Sequence, residues 1–227
     1  MKFENTKVWG FENAILGLRL PMCRDLSEAK GKSDSELQWV ENENGEEVQK
    51  YQIGEDDMRI CKNLIKADTN GNAGQPNSKF LRMIHVQVAI TAPLYLFKEL
   101  DTYKIGTVAN STSTMHKLAS TPITLDCFEM DDYAELDNGF CTDMWNSLIV
   151  WLEGLRQKYN ETKDKRYWKE LIRLLPESWL QTRMFDCNYA TLRNIYRWRK
   201  NHRLAEWSIA FKDWIEQLPY AKELICE

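Results

Sequence analysis

No run of apolar residues in this chain approaches the ~20 that a membrane-crossing helix requires, so no spanning segment is expected. The first residues, MKFENTKVWGFENAILGL, carry acids within the first dozen positions and no clean apolar stretch ending in small residues. That argues against a secretory leader. The six cysteines (Cys23, Cys61, Cys127, Cys141, Cys187 and Cys226) are scattered and none forms a CxxC pair. A disulfide framework and a zinc site are therefore not expected, no metal is assigned, and reduced thiols in a cytoplasmic protein follow. No internal repeat or low-complexity tract is present. Nor is there an excess of positive charge: the formal net charge is −4 and the pI near 5.6. This argues against nucleic acid as a partner.

What is present suits one globular domain with a real core: 227 residues, 43% hydrophobic and 28% charged. The charge is uneven. Residues 182–203 hold six Arg or Lys (Arg183, Arg193, Arg197, Arg199, Lys200 and Arg203) against one acid, Asp186. A basic region on an acidic protein points to a nucleotide or other small anionic ligand, or to a neighbouring subunit's acids. Nine tryptophans mostly fall in apolar-periodic stretches, and core packing is their expected role.

Along the chain, residues 31–57 are polar and acidic, with Asn44-Gly45 between two mildly alternating runs; a hairpin, as a decoration or insertion on the single domain, is expected there. Met58–Lys66 reads as helix and Ala67–Ser78 as loop. Phe80–Ile90 reads as a strand with Ile84, Val86, Val88 and Ile90 on one face. Ala92-Pro93 then opens a helix over Leu94–Tyr103. Residues 105–117 are hydroxyl-rich and lack helical periodicity, and residues 118–139 read as irregular, with acids gathered in EMDDYAELD. Helices are expected over Cys141–Tyr159, Lys163–Leu175 and, capped by Asn188, from Tyr189 to Leu218. The fold class is α+β, helix-rich with a small antiparallel sheet.

Three segments, in order, carry a resemblance. The first is the strand, Ala92-Pro93 and the helix leading to Thr102-Tyr103-Lys104. The second is Asn110-Ser111-Thr112-Ser113-Thr114-Met115-His116. The third comprises Leu175-Pro176, Asn188-Tyr189-Ala190-Thr191-Leu192, Trp198-Arg199 and Ala205-Glu206-Trp207. Together they resemble the flavin-dependent thymidylate synthases over roughly Pro76 to Leu218. Order and spacing carry the likeness, since each string is short and degenerate.

The resemblance implies FAD as cofactor, dUMP as substrate, reductive methylation as the ancestral reaction, and a homotetramer with pockets shared between subunits. It implies that Arg199 meets the pyrimidine, where a planar guanidinium faces a carbonyl oxygen and a ring nitrogen together. Asn188 and Asn194 match flavin contacts, with a plain helix cap as the other reading of Asn188. His202, or Arg203 beside it, stands for a family histidine. Tyr103 and Lys104 stand for cofactor contacts, and Ser111, Thr112, Ser113 and Thr114 for a substrate-phosphate loop. The departures are substantial. The family's Arg-His-Arg is Thr102-Tyr103-Lys104, its loop Glu and Arg are Ser111 and Met115, a Glu-His pair is Arg82-Met83, and a further Arg is Ala190. Losing several charge partners from one site weakens ligand binding and transition-state stabilisation. Three functions are thus open: a flavoenzyme with altered ligands, a non-catalytic nucleotide-binding protein that senses or sequesters its ligand, and a helical module whose Arg193–Arg203 stretch contacts an acidic partner or nucleic acid, against which the overall acidity argues.

Overall fold

The computed structural model describes residues 1–42, 44–69, 77–130 and 139–227. Its elements are β1 (Lys2–Trp9), α1 (Phe11–Arg19), α2 (Leu26–Lys32), β2 (Glu36–Glu41), β3 (Glu47–Gln52), α3 (Glu55–Thr69), β4 (His85–Pro93) and α4 (Leu94–Leu100). They continue with β5 (Val108–Ser111), α5 (Thr114–Lys117), α6 (Gly139–Thr162), α7 (Lys165–Leu174), β6 (Leu180–Asn188), α8 (Tyr189–Arg199) and α9 (Lys212–Glu216). Two π-helical turns, Glu206–Phe211 and Lys222–Cys226, flank α9. One sheet has the strand order β1-β4-β6-β5 and the other is the antiparallel pair β2-β3. No helix of the described residues is long and apolar enough to cross a membrane. All six cysteines are free thiols; burial pushes the Cys61 thiol up to about 12.

The chain forms two compact units. The first comprises Met1–Glu4, Ala89–Lys104 and Ala109–Phe185. Its core gathers Leu118, Ile123, Phe128, Leu152 and Leu171, with Phe128 set edge-on to Trp179 at 5.5 Å. Glu153 on α6 holds the segment before Phe128 in place. Its carboxylate accepts from Ile123 N (2.9 Å) and from Arg156 Nε (2.7 Å) and Nη2 (2.6 Å). Arg156 and Asn160 in turn donate to the Ala119 carbonyl.

The Arg156 hydrogen bonds, helped by the Ile123 amide, hold the Glu153 carboxyl at about 2, below its ordinary 4.5. A carboxyl lowered on folding contributes stability above its unfolded pKa and loses it as pH falls through the folded one. Glu153→Gln is therefore expected to cost about 1–2 kcal/mol at neutral pH. The gap to wild type should close between about pH 4.5 and 2, as urea titrations across that window would measure. A gap that persists unchanged at low pH contradicts the assignment.

The second unit comprises Asn5–Val88, Ile105–Val108 and Asp186–Glu227. The alternating runs around Asn44-Gly45 form the β2-β3 hairpin, in register from Glu36 opposite Gln52 to Glu41 opposite Glu47. Tyr220 ties the hairpin to the C-terminal segment: its hydroxyl accepts from Ile53 N and lies 3.1 Å from the Tyr51 carbonyl. Phe11 meets Tyr189 and Tyr220 edge-on, each at 5.6 Å. Tyr189 donates to the Pro219 carbonyl at 2.6 Å.

Several sequence expectations are corrected. The strand expected from Phe80 starts at His85, after a 3-10 turn over Lys79–Met83. Phe80 and Leu81 are both buried and Arg82 and Met83 both exposed, a pairing that an extended strand cannot give. From there Val86, Val88 and Ile90 alternate fully buried as expected. Helix α4 stops at Leu100 rather than Tyr103, and α3 runs through Ala67 to Thr69. The rest of that expected loop, 70–76, and acids 131–138 lie outside the described residues. The hydroxyl-rich segment holds β5 and the one-turn α5.

Two corrections are larger. Strand β6 had no counterpart in the sequence reading, and the helix expected over Tyr189–Leu218 ends at Arg199. The tryptophans also divide: Trp207 is fully buried, but Trp39, Trp151 and Trp198 are 65%, 71% and 70% exposed, not core.

Candidate functional site

The residues singled out from sequence fall in both units, and each group is built differently. In the second unit the organising element is α8. Asn188 ends β6 in an extended conformation, and its Oδ1 accepts from Thr191 N at 3.0 Å, which supplies one of the orphan amides of the helix start. Thr191 Oγ1 donates to the Ile105 carbonyl (2.9 Å) and lies 3.2 Å from Asn188 Oδ1. Gly106, at φ +70°, passes so close that a Cβ there would stand 2.5 Å from Asn188 Nδ2. Asn188 is 7% exposed and acts as the cap that starts α8.

Helix α8 buries Leu192, Ile195 and Tyr196. At about 100° per residue, Arg199 shares the side of Leu192, whereas Asn194 lies about 140° away from Arg199 and is exposed. The two are thus on one helix but not on one face. Arg193 reaches the Ile225 carbonyl at 3.0 Å, and burial, with Arg197 beside it, lowers its pKa.

Arg199 is half-buried at the last turn, and its guanidinium carbon stands 5.1 Å from the Trp207 ring centroid. The chain turns sharply after it: Lys200 N bonds to Tyr196 O and His202 N to Arg199 O, both at 3.0 Å. His202 then accepts from Leu204 N through Nδ1 (3.2 Å), which leaves the ring proton on Nε2. Its ring meets Trp207 edge-on at 6.5 Å. The π-helical turn that follows carries Trp207 and a buried acid, Glu206. Arg199, His202 and Trp207 are therefore gathered at the bend between α8 and this turn.

In the first unit, Tyr103 is half-buried and Lys104 exposed, past the end of α4. Ser111 closes β5. Thr112 exchanges contacts with β6: its N–H donates to the Thr182 carbonyl (2.9 Å) and its carbonyl accepts from Gln181 Nε2 (2.8 Å). Ser113 caps α5 by accepting from His116 N, and Thr114 opens that helix. The hydroxyls of Thr112 and Ser113 thus accept local backbone amides, and the α5 turn is only four residues long.

Sequence reasoning assigned Trp207 to the apolar side of a continuous helix and missed it as the ring beneath Arg199. The only signal was the Ala205-Glu206-Trp207 string, which carried no role of its own. It also missed two grooves of the second unit. One, of about 430 Å³, is lined by Trp9, Phe11, Lys50, Tyr51 and Tyr220 among others. The other, of about 470 Å³, is lined by Met58, Arg59, Lys62 and Glu223 among others. Neither includes a residue selected from sequence.

No protein-family model matches the chain, and no curated protein sequence does. Solved structures do match. Two structures of the flavin-dependent thymidylate synthase ThyX from Helicobacter pylori, both with FAD and dUMP, each cover 99% of this chain. The alignments span 98% and 97% of those chains, each with a TM-score of 0.65 and 16% sequence identity. A likeness at that identity is one of fold, and it spans the whole length. The chain has the helix-rich α+β fold of a flavin-dependent thymidylate synthase.

Proposed function

We propose that this chain binds a pyrimidine deoxynucleotide of the dUMP class through Arg199, on a fold whose ancestral reaction is the reductive methylation of that nucleotide. The observation that carries the reading is Arg199 itself. It is half-buried at the end of α8 and backed by the Trp207 ring, on a fold whose solved examples hold dUMP. The planar guanidinium fork suits a pyrimidine, since its parallel N–H donors match a ring carbonyl and the adjacent ring nitrogen. Trp198, exposed on the same helix, is an interface residue of a homotetramer on this reading.

FAD is a different matter. A flavin needs polar groups along its ring edge and cations at its diphosphate. Asn194 and His202 suit the first need, but the oxygen of Asn188 is taken by Thr191 N. Thr102 and Tyr103 stand where the family's first cation and its histidine would be, leaving Lys104 as the one charge. The residues present do not fit FAD as the family holds it, and no hydride transfer follows for this chain. The non-catalytic reading, a protein that senses or sequesters the nucleotide, is favoured by the same observation.

Thermal shift tests both halves. A ligand at about 100 times its Kd adds about 2.7 kcal/mol of stability, which for a chain of this size is a rise of about 5–11 °C. The expected outcome is such a rise with dUMP, no flavin absorbance in the purified protein and no shift with FAD. Arg199→Ala should weaken dUMP about 10- to 100-fold, the loss of a charge-assisted hydrogen-bond pair. A dUMP response that survives Arg199→Ala sinks the assignment. A yellow protein whose flavin is lost on Asn194→Ala restores the flavoenzyme.

A further inference from the structure

We infer that Trp207 is a positioning residue for Arg199: its indole face holds the guanidinium so that the fork meets the ligand in one orientation. The inference rests on the reading of Arg199 as the pyrimidine contact, and it concerns what makes that contact specific.

An indole at position 207 carries a cost. Trp207 is fully buried, and among the described residues no acceptor reaches its Nε1. A buried donor left unmade is destabilising, and buried indoles ordinarily find a partner. Packing alone would therefore be better served by phenylalanine, which fills much of the same space and brings no N–H. Its neighbour Phe211, 5.0 Å away between centroids, is also aromatic, and a phenyl ring suits it equally. What an indole adds is the largest negative π face of any side chain. That face is the one occupied: the Arg199 guanidinium carbon stands 5.1 Å from the ring centroid. The backbone supports the same reading. The ring is presented by a π-helical turn, Glu206–Phe211, a rare conformation that recurs at functional positions. The bend before it, with His202 bonded to Leu204 N, brings the turn under the end of α8.

Phenylglyoxal modification of arginine, followed site by site with peptide mass spectrometry on the ligand-free full chain, reads the restraint directly. Trp207→Phe is expected to raise the rate at Arg199 about three- to tenfold. The rate at Arg197, exposed on the same helix, serves as the internal reference and should not change. Tetrafluorotryptophan incorporated in place of tryptophan keeps the shape and empties the π face, so it gives a second measurement if Trp207→Phe fails to fold. It should raise the Arg199 rate in the same direction. Equal rates at Arg199 in wild type, Trp207→Phe and fluorinated protein overturn the inference. Because no nucleotide is present, a protein that ignores dUMP but shows the fluorine-dependent rate supports this role and refutes the nucleotide reading alone. With dUMP bound, a structural role would leave the Arg199 contribution intact. A positioning role predicts that Trp207→Phe weakens dUMP in the Arg199 background but not in Arg199→Ala.

Discussion

Asp57→Ala is expected to lower the stability of the protein by about 3–5 kcal/mol, the cost of leaving a buried ion-pair partner uncompensated. Asp57 lies in the first turn of α3 and is fully buried. Its carboxylate receives Arg19 Nε from α1 and the hydroxyls of Ser33 and Ser35, each at 2.6 Å, from the segment before β2. Ser35 Oγ also accepts from Gly54 N, and Asp34 accepts the Asp56 and Asp57 amides at the start of α3. One carboxylate thus ties α1, the approach to the hairpin and α3 together. Alanine would leave the Arg19 side chain, 12% exposed, with Asp34 at 3.9 Å as an ion-pair partner. For a chain of this size, 3–5 kcal/mol is a fall in Tm of about 6–20 °C. The urea midpoint should drop at an unchanged slope. Asp57→Asn keeps the shape and one acceptor but not the charge, so it should recover less than half of the loss. Its neighbour Asp56, paired to Arg59 with both side chains mostly exposed, is the control, because surface pairs contribute little. A loss at Asp57 no larger than at Asp56 would contradict the network.

The contrast between Asp57 and the elements around it also shows what could be read from the chain alone. Alternation in Val86, Val88 and Ile90, continuing from Ile84 just before it, marked the buried face of β4, because both sides of a strand follow one period. Asn44-Gly45 marked the hairpin, because that dipeptide suits a turn with positive φ, and Gly45 has φ +78°. Asn188 was legible as a cap because capping is local. Strand β6 was not legible. Gln181 sits at a buried position and is satisfied by the Thr112 carbonyl. Arg183 lays its guanidinium 4.1 Å from the Phe97 centroid and bonds to Asp101. Both satisfactions come from distant residues, so the local pattern of polar and apolar positions misleads. The break after Arg199 was hidden for a similar reason: no glycine or proline interrupts 189–205, and the turn is closed by His202 on Leu204 N. The candidate site inherits that limit. Arg199 could be named from a short string, but its contact with Trp207 exists only because the helix bends there.

The second large effect lies at Gly10, and it links stability to the site. Gly10→Ala is expected to cost about 3–5 kcal/mol, the sum of a positive-φ penalty and a forced backbone shift. Gly10 joins β1 to α1 at φ +98°, and its carbonyl accepts the first helical bond, from Ala14 N at 3.0 Å. A Cβ there would stand 2.2 Å from the Met83 carbonyl oxygen and 3.3 Å from its carbon. No side chain can rotate away to relieve that, because the obstacle is backbone. Met83 must move, and it precedes Ile84, which is fully buried and whose carbonyl accepts Tyr189 N at 3.0 Å. Tyr189 is the first residue of α8, so the displacement passes to the helix that carries Arg199. Gly10→Ala should therefore lower both the melting temperature and the response to dUMP, although it touches no ligand residue. Gly45→Ala supplies the contrast: its positive φ is similar, but its Cβ would meet only the tip of Glu41 at 3.6 Å. That substitution should cost about 1 kcal/mol and leave the dUMP response intact. If both alanines melt alike, the Met83 carbonyl yields freely, and the start of α8 is not set by the close approach at Gly10.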